Sequence, residues 1–327
     1  MKQNGLPTTS AGSDPASPVL EPLTGATRDG QPLSLNRAAA PDLSPWLARI
    51  MSAEVNAPPG SVVRCGMFND TAQLRVLMSG EWTAETSDGD ARYNLDNRGQ
   101  ALFFGPHSHS MAITVAGSFR VTGLSLRPGA EHAMGGPLPA QTLDRILDYD
   151  AIVGHGRLGE RFAAQAANEA WIDGMEELLR EFVVRRKPPQ PDPVTNAFDR
   201  FAFVSPDAPV AAFLEGYGVT QRTLERIVKR DFGMTPKQVL RRARVLDMAS
   251  QLLGVAAPEE AETLALRFFD QSHLIREFTH FFGMTPQHLA RQPNPLLRIT
   301  LEGRQARRLE ELQRIEPGST PWRANNT

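Results

Sequence analysis

Phe232-Gly233-Met234-Thr235-Pro236 returns as Phe282-Gly283-Met284-Thr285-Pro286, fifty positions further on. The register holds upstream and downstream: Gln221, Leu224, Arg226 and Arg241 fall on Gln271, Leu274, Arg276 and Arg291. A repeat at fixed spacing marks a duplicated structural unit. Each glycine suits the left-handed residue just past a helix end. Each threonine can cap the next helix, and each proline fits its first turn, where no N–H is needed. Both copies therefore predict helix, stop and new helix, with Phe232 and Phe282 in the core at the joint.

The residues before each string have helix-turn-helix spacing. A short apolar helix over 210–215 precedes Gly216-Tyr217-Gly218, and Thr220 caps a second helix over 221–231. Leu224, Ile227 and Val228 recur at inward-facing spacing. Arg222, Glu225, Arg226 and Lys229 share a polar face, the pattern a groove-reading helix needs. The second copy predicts a first helix over 258–266, Asp270 as cap, and a second helix over 271–278. Leu274 and Phe278 anchor it, with Ile275 a third candidate, and Gln271, Ser272, His273 and Arg276 reach outward. Between the copies, 236–253 predicts a helical spacer closed by Gly254, about 27 Å long at ~1.5 Å per residue. Such a rod can hold two readers about one DNA turn, roughly 34 Å, apart.

Residues 205–291 resemble the DNA-binding domain of the AraC/XylS family of bacterial transcription regulators. The likeness rests on Gly218-Val219-Thr220-Gln221-Arg222-Thr223-Leu224-Glu225-Arg226 and its following string, and on Arg242 and Arg244 in the spacer. It continues through 270–278 and Phe281-Phe282-Gly283-Met284-Thr285-Pro286. The resemblance implies a seven-helix domain, base contacts from both second helices, and activation through RNA polymerase. Two departures stand out. The family's glycine before the aromatic of the second turn is replaced by Arg267 before Phe268, and the second unit is acidic. Residues 258–283 carry a net −3, whereas 221–244 carry +6. The first unit is therefore expected to supply most of the phosphate attraction and base reading.

A formal charge of −2 over 327 residues hides a division. Residues 1–193 sum to −5 and 194–300 to +2, so a basic reading surface is joined to an acidic body. Cys65 is the single cysteine and is read as a small buried apolar residue; its solitude rules out an intrachain disulfide. No secretory pattern opens the sequence and no run of eighteen apolar residues exists, which favours a cytoplasmic chain away from membranes.

From about 60 to 128 the texture is β. Strands are expected over 61–67, 72–77, 81–86, 101–104, 110–115 and 119–126, with turns at 87–90, 97–99, 105–106 and Ala116-Gly117. Such spacing argues for a barrel or sandwich. Helices follow, one at Leu143, Ile146 and Leu147, another through Met175, Leu178, Leu179, Phe182 and Val183. The second could pack across a two-fold axis in a homodimer or on its own barrel. This half resembles the cupin-like N-terminal domain of one AraC-type subgroup, through Phe104-Gly105-Pro106-His107-Ser108-His109, Gly117-Ser118-Phe119-Arg120 and Leu126-Arg127-Pro128-Gly129-Ala130. That implies a sensing and dimerising domain with a small-molecule effector. His107-x-His109 could begin a metal site, but no acid follows at cupin spacing, so no metal or other cofactor is expected and both histidines are read as polar groups near the barrel mouth.

The expected class is α+β: an N-terminal cupin-like β-barrel domain with helices, then an all-α domain with two helix-turn-helix motifs. The boundaries are a disordered segment 1–41, a sensing domain 42–187, a linker 188–204 rich in proline, a reader 205–300 and a tail 301–327. Helical extension of the tail over 304–315 is expected to present a polar surface. The candidate DNA-binding residues are Arg222, Glu225, Arg226, Lys229, Gln271, Ser272, His273 and Arg276. Lys237, Arg242 and Arg244 are read as phosphate contacts or solvated charge. The function expected is a sequence-specific, effector-controlled regulator acting on double-stranded DNA, without catalysis. The alternatives are a cupin-type metal enzyme fused to a reader, and an architectural DNA-binding protein indifferent to sequence.

Overall fold

The computed structural model describes residues 18–93, 95, 98–154, 156–163, 168–256, 271–313 and 320–324. The predicted helix over 258–266, the Arg267-Phe268 turn and the Asp270 cap lie outside them.

The chain is α+β. Its N-terminal half forms one antiparallel sheet from β1 (Glu21–Pro22), β2 (Leu35–Ala38), β3 (Leu47–Asn56), β4 (Val62–Met67), β5 (Gln73–Thr86), β6 (Gly89–Tyr93), β7 (Gln100–Phe104), β8 (Met111–Leu126) and β9 (Ile146–Asp148). The short helices α1 (Ala130–Ala133), α2 (Pro139–Thr142), α3 (Tyr149–Val153) and α4 (Leu158–Ala163) lead to the long α5 (Asn168–Arg186). The helical half comprises α6 (Pro193–Val204), α7 (Val210–Tyr217), α8 (Gln221–Phe232), α9 (Pro236–Leu252), α10 (Gln271–Phe282), α11 (Pro286–Arg291) and α12 (Pro295–Glu311).

Two expected strand pairs are each one long strand. In β5, 72–77 and 81–86 run together through Gly80 at φ +93°, where the register against β8 shifts. In β8, the expected turn at Ala116-Gly117 is a bulge with Gly117 at φ +79°. A bulge lets one strand bend and serve different neighbours along its length: β5 pairs with β7 through Gln73–Leu77 and with β6 through Trp82–Thr86. One face of the sheet rolls around Val55, Val63, Leu77, Trp82, Phe104, Ile113 and Phe119. The other face, with Leu74, Val76, Phe103 and Leu124, is covered by Trp171, Ile172, Met175 and Leu179 of α5. The amphipathic stripe of α5 thus packs on its own sheet.

Several expectations need correction. The segment 1–41 is not unstructured where described: β1 and β2 pair with β3, and Leu33 is fully buried. The strand β3 itself escaped the sequence reading, because Arg49, Ser52 and Glu54 interrupt its apolar residues. Leu143, Ile146 and Leu147 do not form a helix; Asp144 adopts φ +57°, which breaks it, and 146–148 become β9. The linker 188–204 contains α6, started by Asp192, whose side chain accepts from the Val194 N–H, and by Pro193 at the first turn. Even the extended remainder is held, since the Trp46 indole donates to the Pro189 carbonyl at 2.8 Å.

The largest correction concerns the tail 301–327. The expected polar helix is α12, buried along nearly its whole length between sheet and reader. Leu296 and Ile299 complete the sheet's inner core, while Leu297, Leu301 and Leu309 join Phe278, Phe281 and Phe282. Its arginines carry internal ion pairs: Arg304 with Asp70 at 3.0 Å and with Asp247, and Arg307 with Asp199. Trp322 and Arg323, beyond it, bond to Glu302. Between the halves, Phe68 from the β4–β5 loop stacks on Phe281 and meets Phe282 edge-on, with centroids 6.0 and 5.3 Å apart.

Candidate nucleic-acid interface

Both copies of the repeated string do what their residues dictate. Gly233 and Gly283 take φ +73° and +68°. Thr235 accepts from the Gln238 N–H, and Gln238 returns a bond to Thr235, a capping box. Thr285 accepts from the His288 N–H, with Pro286 in the first turn of α11. In front of α8, Gly218 at φ +63° closes α7 and Thr220 accepts from the Thr223 N–H at 3.2 Å. The two glycines differ in surroundings. A Cβ on Gly233 would lie 3.0 Å from the Pro139 carbonyl, whereas one on Gly283 meets nothing within 4 Å. Gly283→Ala should therefore cost only left-handed strain, about 1–2 kcal/mol. Gly233→Ala adds a backbone clash and should lower the urea midpoint further.

Helix α8 is sharply two-sided. Leu224, Val228 and Phe232 are buried among Phe198, Phe213, Val239 and Leu240, and Ile227 is buried as well. Arg222, Glu225, Arg226 and Lys229 are all exposed. Glu225 accepts from the Gln221 amide at 2.8 Å, and Lys229 donates to the Gly233 carbonyl at 2.9 Å. Helix α8 meets α1 and α2, with Asp231 beside Gly129 and Gly233 beside Pro139 at its C-terminal end. In α10, Leu274 and Phe278 are buried anchors, but Ile275 is 43% exposed and anchors nothing. His273 and Arg276 are exposed. Gln271 and Ser272 occupy the first turn of α10.

The spacer α9 has 17 residues, about 26 Å at ~1.5 Å each, and packs on both α8 and α10. Its basic residues are mostly not available to phosphate. Arg242 is buried, donating to the carbonyls of His107 at 2.9 Å and Asp70 at 2.8 Å. Burial pushes its pKa down to about 10, so it remains a cation. Arg241 and Arg244 converge on Glu277 of α10, at 2.7 and 3.1 Å. Burial alone would raise the Glu277 pKa; the Arg241 hydrogen bond and the Arg244 charge outweigh it and hold the carboxyl below its usual range. Arg230 pairs with Asp231 at 2.6 Å. The reading of Arg242 and Arg244 as phosphate contacts is thus corrected: one joins the halves and the other fastens α10 to α9. Of the basic residues between 221 and 244, Arg222, Arg226, Lys229 and Lys237 are left on the surface. Glu277 carried no sequence signal beyond its charge.

In the sheet half, His107 is buried with Nδ1 3.0 Å from the Met67 carbonyl, while His109 is exposed beside Asp144 at 3.5 Å. They do not converge. Burial pushes His107 down to about 4, against the opposing Asp144 charge, so the ring is neutral. Among the described residues no three His, Cys, Asp or Glu side chains gather to hold a metal. Cys65 is buried, its thiol pushed up to about 11 by burial. No described helix is long and apolar enough to cross a membrane.

Residues 214–292 match the family model of a helix-turn-helix domain. A comparison with curated proteins gives no match. Among solved structures, ToxT from Vibrio cholerae bound to an unsaturated fatty acid is 9% identical, with 74% of this chain and 95% of that chain covered and a TM-score of 0.40. The AraC-like transcriptional activator CuxR is 12% identical over 70% of this chain and 94% of that one, with a TM-score of 0.26. A cupin domain from Bordetella pertussis is 17% identical over 29% of this chain and 95% of that one, with a TM-score of 0.20. Likenesses this faint carry no argument about what the chain binds.

Proposed function

We infer that this protein is a sequence-specific regulator of transcription that places α8 and α10 in adjacent major grooves of double-stranded DNA. One observation carries the reading: a duplicated helix–glycine–threonine–proline unit, inside a helix-turn-helix match, exposes polar residues on each second helix, Arg222, Glu225, Arg226 and Lys229 on α8 and His273 and Arg276 on α10. Arg222 and Arg226 are suited to guanine, Glu225 to cytosine and Lys229 to phosphate. Gln271, Ser272, His273 and Arg276 are the second set. Arg222, Arg226 and Lys229 are exposed on α8 against Arg276 on α10, so α8 is assigned the greater share of binding.

Control by a small molecule is supported by a cleft of about 980 Å3 beneath α5, lined by Leu74, Phe103, Leu124, Met134, Phe182 and Glu131. Glu131 adjoins Asp231 at the end of α8 closely enough for that charge to raise its pKa, which puts the cleft next to a reader. Contact with RNA polymerase, a homodimer and residence in the cytoplasm belong to the same proposal.

The test is selection of bound sequences from random duplexes, then salt-controlled binding to single-base variants. A sequence reader is expected to prefer its site by at least ~10³-fold. Arg226→Ala should cost about 1–3 kcal/mol and relax preference at one base; Lys229→Ala should weaken all sequences alike. Replacing Gln271 and Arg276 together should cost less than replacing Arg222 and Arg226; the reverse would transfer the main reading role to α10. Uniform affinity across sequences would identify an architectural binder instead.

A further inference from the structure

We propose that a small monovalent anion binds in the cavity between β5 and α12, against Arg75. Arg75 is 6% exposed. Its Nε donates to Gln73 at 2.8 Å, Nη1 reaches the Met67 sulfur at 2.8 Å, and Nη2 reaches Asn69 and Thr300, both at 3.4 Å. The guanidinium also lies over the Phe104 ring, 5.0 Å from its centroid. Every one of these partners is neutral. Among the described residues no carboxylate forms an ion pair with Arg75.

The neighbouring arginines are arranged differently. Arg49 has Glu310 at 2.8 Å, Arg304 has Asp70 and Asp247, and Arg307 has Asp199. A buried cation is ordinarily paired, and neutral acceptors satisfy its N–H groups without balancing its charge. Burial lowers the Arg75 pKa to about 10, too little to discharge it near neutrality.

The cavity beside it supplies the room. It measures about 40 Å3, and Arg49, Arg75, Arg304, Arg307 and Thr300 line it with the single carboxylate of Asp70. That carboxylate is already held by Arg304. A second, independent observation points the same way: the buried Nε of Arg307, on this wall, has no hydrogen-bond partner. Water needs at least ~10–15 Å3, so the space admits a few waters or one small ion. Arg75 has no carboxylate of its own, so the anion suited to it is small and carries a single charge. Chloride, nitrate and formate have the size and charge; a phosphate diester or a long-chain carboxylate does not fit. Because Arg304 also grips Asp247 of α9, the anion would pin α12 and the reader's spacer to the sheet.

The experiment uses the full chain in a gluconate buffer of constant ionic strength, with nitrate, chloride or formate replacing gluconate. The wild-type melting temperature is expected to rise and saturate, by several degrees. Arg75→Met removes the guanidinium that lacks a carboxylate partner; its response should vanish, and its melting temperature in gluconate should match or exceed that of the wild type. Gly303→Ala keeps every charge but takes cavity space, with its Cβ 3.9 Å from the Arg49 Cδ, and should blunt the response. That second variant carries the test if Arg75→Met does not fold. A wild type that shows no saturable rise holds only water there. An equal response to sulfate, or an undiminished response in both variants, would also overturn the site.

Discussion

Ending the chain before Pro295 is expected to abolish cooperative folding. The deletion removes Leu296 and Ile299 from the sheet's core, and Leu297, Leu301, Leu309 and Trp322 from the core shared with α10. It also strips Asp247 and Asp199 of their arginines. Breaking one buried pair from one side typically costs about 3–5 kcal/mol. Two such losses, added to two opened cores, exceed the ~5–15 kcal/mol that holds a whole domain together. The deleted chain should show no sharp thermal transition by circular dichroism and should elute as aggregate. A truncated monomer melting within a few degrees of the full chain would show that α12 is an ornament. A truncation made after Glu311 isolates the contribution of Trp322 and Arg323, which bond to Glu302, and should be milder.

The joints of the reader were legible because their chemistry is local. The left-handed turn at Gly233, the cap at Thr235 and the proline at 236 lie within four residues, and each residue type allows few backbone choices. The face of α8 was legible for a similar reason: helical spacing separates Leu224, Ile227 and Val228 from Arg222, Glu225 and Arg226. Partnership across the chain left no such mark. Arg307 reads as a solvated charge until Asp199, 108 positions earlier, is brought beside it. Arg242 belongs by spacing to a basic helix, yet its guanidinium goes to two carbonyls of the sheet half. The strand β3 was missed because Arg49 and Ser52 are buried among its apolar residues, so it shows neither an apolar run nor an alternation. The proline-rich linker was overextended because composition outweighed a start signal, Asp192-Pro193, that position alone could have identified.

This distinction bears on how the reader is supported. Of the residues expected to be phosphate contacts or solvated charge, Lys237 is exposed while Arg242 and Arg244 are held by partners within the protein. Arg241 and Arg244 spend their charge on Glu277, which fixes α10 against α9. Under the proposed reading fewer basic residues are left for phosphate than the composition of α9 suggests, so a shallow salt dependence of DNA binding is expected.

Glu131→Gln is expected to stabilise the protein near neutral pH. Glu131 is 5% exposed, and its Oε1 has no hydrogen-bond partner. Burial first, and the charge of Asp231 second, push its pKa up to about 8 from an ordinary 4.5. Between those values the folded chain keeps a proton that the unfolded chain releases, so stability falls as pH rises through the window. At pH 7 the accumulated penalty is about 3 kcal/mol, at ~1.4 kcal/mol per pH unit. His107 acts in the opposite direction only below its unfolded value near 6.5, because its folded pKa is depressed to about 4. Between pH 6.5 and 8 the Glu131 slope therefore stands apart from that of His107, and amounts to about 2 kcal/mol. Urea unfolding across that interval should show the wild type weakening with pH and the glutamine variant holding level and higher. Parallel curves would mean that Glu131 is ionised in the folded protein and finds a partner. Since Glu131 lies between the cleft under α5 and the end of α8, a ligand that offers its carboxylate a hydrogen-bond donor would relieve the same penalty. The melting temperature gained on binding would then be larger at pH 8 than at pH 6.5, and larger for the wild type than for the variant.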